Sequence, residues 1–271
     1  MANPECVEFL QWALPLMGFR WDGFRRVRRQ VCRRVGRRVQ ALHLPGFRAY
    51  RTYLDAHPEE WRVLDSLCHV SISRFVRDRA VFDRLAAEVL PALAADAVSR
   101  NVDVICCWSA GCASGEEPYT LSILWSLDVA SRFPSLDLTI LATDVDRHLV
   151  ERAQRGCYDK SSLREVPSSW MTRAFDCEGS AYVVRPEFRH RVGFRCEDMR
   201  TTVPHGPFDL ILCRNAAFTY FDVNAQREVL QGLLSALRPG GGFVIGRKER
   251  LPPHTSELSE WTSDLGIFRK T

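Results

Sequence analysis

No apolar run in this 271-residue chain approaches the roughly 18 residues that a membrane span requires, so membrane insertion is not expected. The stretch from Met1 to Met17 has no basic leader and is interrupted by Glu5, Glu8 and Gln11, so it does not read as a signal peptide. The ten cysteines form no CxxC pair and no histidine cluster accompanies them. Neither a metal site nor a disulfide framework is expected, and reduced, buried thiols in a cytoplasmic protein are. Both common phosphate-cradling patterns, GxxxxGK[ST] and GxGxxG, are also missing. With 46% hydrophobic and 26% charged residues, the composition is otherwise that of an ordinary globular chain.

The organising stretch runs from Cys107 to Thr120. An apolar run, Val102 to Trp108, reads as a buried strand, and Tyr119, Leu121, Ile123, Leu124 and Leu127 give a helical pattern after it. Between them lie Gly111 and Gly115 with Ala110, Ala113 and Ser114, small residues that let backbone approach a ligand closely. Glu116 and Glu117 fall in the first helical turn, where carboxylates suit the helix dipole but would repel a pyrophosphate. A ligand with an amine or sulfonium and no phosphate fits better, and S-adenosylmethionine is the obvious one.

Trp108-Ser109-Ala110-Gly111-Cys112-Ala113-Ser114-Gly115-Glu116-Glu117-Pro118-Tyr119 resembles the signature loop of the CheR-type chemotaxis methyltransferases. Two further blocks resemble that family in the same order, Ala142 to Asp146 and Phe208 to Asn215, and the likeness extends from about Phe24 to about Glu249. The resemblance implies methylation of protein glutamates with S-adenosylmethionine, on an α/β fold: a Rossmann-like class I methyltransferase sheet with a small all-helical N-terminal domain. The expected division is a helical domain over 1–80, a linking helix over 81–100 with Pro91 at a kink or break, and the cofactor-binding domain over 101–271.

Charge is uneven. Nine arginines against one acid, Asp22, lie between Arg20 and Arg38, so a net charge of +4 hides a basic N-terminal surface. Phe24 to Leu42 reads as an amphipathic helix, with Val27, Val31, Val35 and Val39 on one stripe and Arg26, Arg29, Arg33 and Arg37 opposite. A solvated basic face is one reading. The resemblance implies another, a surface that docks an acidic, helical protein substrate. Nucleic acid is disfavoured, because no aromatic residues interleave the arginines for base stacking.

The segment Val70 to Asp78 matches the family's passage from the helical domain to the cofactor. The resemblance makes Ser71, Ser73 and Arg77 cofactor contacts and Arg77 also a catalytic residue, with Val76 where the family usually has Phe. From Asn101 onward strands and helices alternate, as in a parallel sheet. Asp144, closing the strand Leu136 to Thr143, is placed to accept the hydroxyls of a ribose, while Asp146 suits the N-cap of the helix Arg147 to Gln154. Resemblance places Asp198 and Met199 beside the adenine, adds Cys213 and Arg214 to the cofactor site, and gives Tyr220 the place of a catalytic tyrosine, on a loop one residue longer than the commonest pattern. Phe175 to Arg195 holds two short strand patterns and no match to the peptide-binding subdomain of receptor-tethered members.

A carboxylate acceptor is already ionised at neutral pH, so methyl transfer to it needs no general base. The sequence accordingly points to a protein-glutamate O-methyltransferase. An RNA or small-molecule acceptor, or a non-catalytic cofactor-binding docking module, are the alternatives.

Overall fold

The computed structural model describes residues 3–253, 255–262 and 264–271. They form two compact units, Met1–Ser71 with Thr219–Arg227, and Ile72–Phe218 with Glu228–Thr271. The division falls at Ser71 rather than at residue 80, and the first unit takes in a segment from late in the chain.

The early part of the first unit is built from the helices α1 (Pro4–Leu16), α2 (Trp21–Phe24), α3 (Arg28–Ala41), α4 (Phe47–Ala56) and α5 (Glu60–Cys68). Three of the four striped valines, Val31, Val35 and Val39, are buried in a core with Phe9, Leu10 and Tyr50, whereas Val27 precedes the helix and is half-buried. Fully buried Phe24 ends α2, and a turn precedes α3, so Arg26 lies outside the helix instead of on its basic face. Arg29, Arg33 and Arg37 are exposed on α3. Arg38 turns inward and grips the buried Glu60 through two hydrogen bonds of 2.8 and 2.7 Å, while the Tyr50 hydroxyl donates to the same carboxylate at 2.8 Å. Cys6 of α1 and Cys32 of α3 are joined in a disulfide, where reduced thiols were expected throughout. Their Cα atoms lie 5.9 Å apart across two packed helices, within the bridging range.

The late segment is stitched into this unit. Arg20 N–H donates to the Tyr220 carbonyl at 2.8 Å and Asp222 N–H to the Gly18 carbonyl at 2.8 Å. A Cβ at Gly23 would stand 2.2 Å from the Thr219 carbonyl oxygen, so only glycine allows that approach.

The second unit opens on α6 (Arg79–Arg84) and α7 (Leu90–Ser99), joined by a π-helical turn over Leu85–Val89. Pro91 therefore neither ends nor breaks the helix. It stands in the first turn of α7, just past the π turn, where its missing N–H is tolerated. Ten strands follow among the described residues: β1 (Val104–Ala110), β2 (Asp137–Asp144), β3 (Cys157–Asp159), β4 (Phe175–Glu178), β5 (Ala181–Val184), β6 (Val192–Cys196), β7 (Phe208–Cys213), β8 (Leu237–Ile245), β9 (Leu258–Thr262) and β10 (Ile267–Lys270). Seven form one sheet in the order β6-β2-β1-β7-β8-β10-β9. The five strands from β6 to β8 are parallel, and β10 runs antiparallel to β8. All six residues of β7 are buried, as a central parallel strand covered on both faces demands. Pro239 lies inside β8, where a register shift opposite Phe208 to Leu210 absorbs residues 238–241. β3, β5 and β4 make a separate small antiparallel sheet. No helix among the described residues is long and apolar enough to cross a membrane.

The chain leaves β1 toward β2 and β6 on one side and returns as β7 on the other. Beside the carboxyl end of β1 lies the switch point at which open α/β sheets bind ligands.

Candidate functional site

After β1 the chain turns sharply into α8 (Glu116–Leu124), with φ of +79° at Gly111, +49° at Ala113 and +91° at Gly115. Three successive N–H groups of this loop are used within the protein. Gly111 and Cys112 donate to the Thr143 carbonyl at 2.8 and 3.0 Å, and Ala113 donates to Asp144 Oδ2 at 2.8 Å. A phosphate would need such groups free and pointing outward. Their engagement is the structural counterpart of the missing phosphate motifs. A Cβ at Gly111 would come within 3.1 Å of the Met199 Cε and 3.0 Å of the Ala216 Cβ, so this glycine lets the residues after β6 and β7 approach the loop closely.

Asp144 ends β2 and is half-buried. Besides Ala113, it takes the N–H of Asp146 at 3.0 Å on Oδ1, which fixes its carboxylate. Asp146 caps α9 (Arg147–Arg155), accepting from His148 and Leu149 N–H, as expected for the second acid of the pair. The two glutamates of α8 separate clearly. Glu116 is 1% exposed and bound by the Ser114 hydroxyl at 2.8 Å. Glu117 accepts from the Ser109 hydroxyl at 2.8 Å and from Arg214 Nη1 at 3.0 Å, with its side chain still 13% exposed.

Arg214, immediately after β7, is the buried cation of the site. Its side chain is 2% exposed and its guanidinium lies 5.0 Å over the Phe82 ring. Nη2 donates to the Arg77 carbonyl at 2.7 Å and to Asp78 Oδ2 at 3.1 Å. The segment carrying Arg77 is pinned elsewhere too: Phe75 N–H to the Ser162 carbonyl at 3.0 Å, and Val76 N–H to the Thr120 hydroxyl at 3.1 Å. The Arg77 guanidinium folds back on the Ile72 carbonyl at 2.7 Å.

Met199 stands against Gly111, with its Cε 3.1 Å from where a Cβ would lie. Asp198 is bound on both oxygens by the Arg200 guanidinium, at 2.8 to 3.1 Å, and accepts Arg200 N–H at 2.9 Å. The Cys213 thiol is buried, and burial pushes its pKa far up, so it is a neutral packing group. Ser73 and Arg77 belong to the second unit with the loop, whereas Ser71 and Tyr220 belong to the first. Tyr220 packs edge-on against Phe24 with ring centres 5.1 Å apart. Sequence reasoning passed over Ser109, Thr143 and Asp78. The first two lie inside the stretches Trp108 to Tyr119 and Ala142 to Asp146, and Asp78 ends the segment Val70 to Asp78 and pairs with Arg214.

Residues 71–267 match the family described as CheR methyltransferase, SAM binding domain. The chain belongs to that family. A chemotaxis protein methyltransferase of Listeria innocua is 34% identical over 186 residues, covering 69% of this chain and 68% of its own length. A probable chemotaxis protein methyltransferase of Rhizobium etli is 30% identical over 247 residues, 88% of each chain. An uncharacterised 104.1 kDa protein of Rhodobacter capsulatus is 33% identical over 224 residues, and the match spans 23% of that longer protein. This CheR-family chain is an S-adenosylmethionine-dependent methyltransferase. Its loop fits the cofactor, with the N–H groups of Gly111, Cys112 and Ala113 engaged within the protein and the carboxylates of Glu117 and Asp144 at the switch point.

Proposed function

We propose that this chain methylates glutamate side chains of a protein partner, forming methyl esters, and that the partner is a chemoreceptor-like signalling protein in the cytoplasm. The observation that carries the reading is the loop after β1, whose N–H groups are closed to phosphate while Glu117 and Asp144 offer carboxylates for an ammonium and a ribose. The bound sulfonium supplies a methyl group activated for in-line displacement. The protein contributes alignment and exclusion of water. Glu117 holds the methionine ammonium, Asp144 the ribose hydroxyls, and Met199 packs on the adenine, with Ser71, Ser73 and the backbone at Asp198, Cys213 and Arg214 completing the cofactor contacts. Arg77 orients the acceptor carboxylate and touches the cofactor, and the Tyr220 hydroxyl donates to one acceptor oxygen. The exposed Arg29, Arg33 and Arg37 of α3, with Arg26 beside it, dock an acidic stretch of the substrate.

The test is transfer of labelled methyl groups to chemoreceptor cytoplasmic fragments. The label should be released by mild base, as an ester is and an N-methyl group is not. Reversing Arg29, Arg33 and Arg37 to Glu should abolish transfer to protein and leave affinity for S-adenosylhomocysteine unchanged. Normal transfer by the triple variant would reduce the basic face to a solvated surface, and loss of RNA binding instead would move the acceptor to RNA. Tyr220→Phe should lower kcat tenfold to several hundredfold, between the loss of about 0.5–1.5 kcal/mol for a neutral hydrogen bond and about 2.7–4 kcal/mol for an oxyanion donor.

A further inference from the structure

Arg77 stands between two residues in the left-handed region, Val76 at φ +55° and Asp78 at φ +62°. For a β-branched residue this is a rare conformation, kept only where the surroundings over-determine it. Several contacts do so. Val76 N–H is held by the Thr120 hydroxyl, Phe75 N–H by the Ser162 carbonyl, and the Asp78 carbonyl takes Val81 N–H at 2.8 Å to start α6. The peptide of Arg77 itself is gripped from the other side. Its carbonyl and the Asp78 carboxylate both accept from Nη2 of Arg214. Two acceptors on adjacent residues sharing one nitrogen fix φ of Asp78 together with its side-chain torsions, and so hold the plane of the Arg77–Asp78 peptide against Arg214. Arg214 in turn cannot follow a moving loop. It is buried at the end of a central strand, over Phe82, with Nη1 on a Glu117 that is itself fastened to Ser109.

We propose that Asp78 is a positioning residue for methyl transfer: through Arg214 it holds the backbone of Arg77, and so aims the Arg77 side chain. The proposal rests on the reading of Arg77 as the residue that orients the acceptor. Neutralising Asp78 alone leaves Arg214 paired with Glu117, so no buried charge is stranded and the fold survives. Asparagine tolerates the left-handed region about as well as aspartate and keeps a side-chain acceptor, so Asp78→Asn changes the charge with little effect on backbone preference.

The experiment is a double-mutant cycle on kcat, with S-adenosylhomocysteine affinity by calorimetry and thermal melting on every variant. Asp78→Asn should lower kcat about tenfold, as a charge-assisted hydrogen bond becomes a neutral one, with affinity within about twofold of wild type. On an Arg77→Ala background the same change should cost less than about twofold, because the side chain being aimed is gone. Asp78→Gly, which is unstrained at φ +62° and lacks the carboxylate, provides the same comparison if the Asn variant folds poorly. Additive losses in the cycle, or wild-type kcat in both Asp78 variants, would overturn the proposal while leaving Arg77 in its role. Wild-type kcat in Arg77→Ala would overturn the role of Arg77 and this proposal with it.

Discussion

At the start of β7, Asp209 accepts from Cys106 N–H at 2.8 Å and from Arg100 at 2.8 Å, and it also pairs with Arg238. Asp96 closes the group, 2.7 Å from both arginines. Just past the other end of the same strand, Arg214 binds Glu117, Asp78 and the carbonyl of Arg77. The first cluster has two acids and two bases and balances its own charge. The second sets two carboxylates against one guanidinium, so a cation arriving at Glu117 meets a partner that is incompletely neutralised. Buried ion pairs serve stability weakly on average, because desolvation offsets the attraction. What separates the two clusters is position. One lies at the amino end of the parallel strands, away from the switch point. The other lies at the carboxyl edge, among left-handed residues and loop glycines.

The largest effect should come from breaking the closed cluster. Asp209→Ala leaves the deeply buried Arg238 and the partly exposed Arg100 to share Asp96 alone, and it also removes the acceptor for Cys106 N–H. The expected loss is about 3 kcal/mol in denaturant unfolding, the low end for removing one partner of a buried pair, with cofactor affinity of the folded protein unchanged. A loss below about 1 kcal/mol would show that the cluster is hydrated and that the contrast with Arg214 is not one of burial.

The carboxyl edge should respond the other way round. Asp144→Ala removes the acceptor for Ala113 and Asp146 N–H as well as the proposed ribose ligand. Affinity for S-adenosylhomocysteine should weaken by about 1.5–3 kcal/mol, the scale for hydrogen bonds to a charged group. Unchanged affinity in a folded variant, measured by calorimetry, would remove Asp144 from the site and leave it only a fastener of the loop.

Much of this edge was legible in sequence because its signals are local. The buried run before Trp108, the small residues from Ala110 to Gly115, and Asp146 one turn ahead of Val150 each carry their own pattern. The linkage through Arg214 was not legible, since its partners Glu117 and Asp78 are 97 and 136 residues distant along the chain. Nor does any propensity announce a valine at positive φ. β3 and β4 were missed because strands of three and four residues carry too little alternation, and β9 because its Leu258 and Trp261 are only half-buried. The boundary at Ser71 follows from Phe75 and Val76, whose N–H groups are fastened to Ser162 and Thr120 of the second unit. Sequence alone showed only a continuous run of short helical and extended patterns.

A third cluster, in the helical unit, sharpens the comparison through pH. The Glu60 carboxyl is held below its ordinary value of 4.5, chiefly by the paired hydrogen bonds from Arg38, with the Tyr50 hydroxyl adding to them against the cost of burial. A folded pKa below the unfolded one means that this stabilisation is complete above about pH 4.5 and is lost as pH falls through the folded value. At pH 7, Glu60→Gln should therefore cost about 1 kcal/mol, a modest figure because Arg38 keeps a third of its side chain in water and can rehydrate. The difference between wild type and variant should shrink steadily once the pH drops below 4.5, because protonation makes the wild-type group resemble the amide. Like Asp209 and unlike Asp144, Glu60 belongs to a closed cluster, so its removal should register in unfolding and leave cofactor affinity alone. A stability difference that stays constant from pH 7 to pH 3 would mean that shape rather than charge holds α3 to α5. Arg38 would then count with the valines, as a side chain that packs.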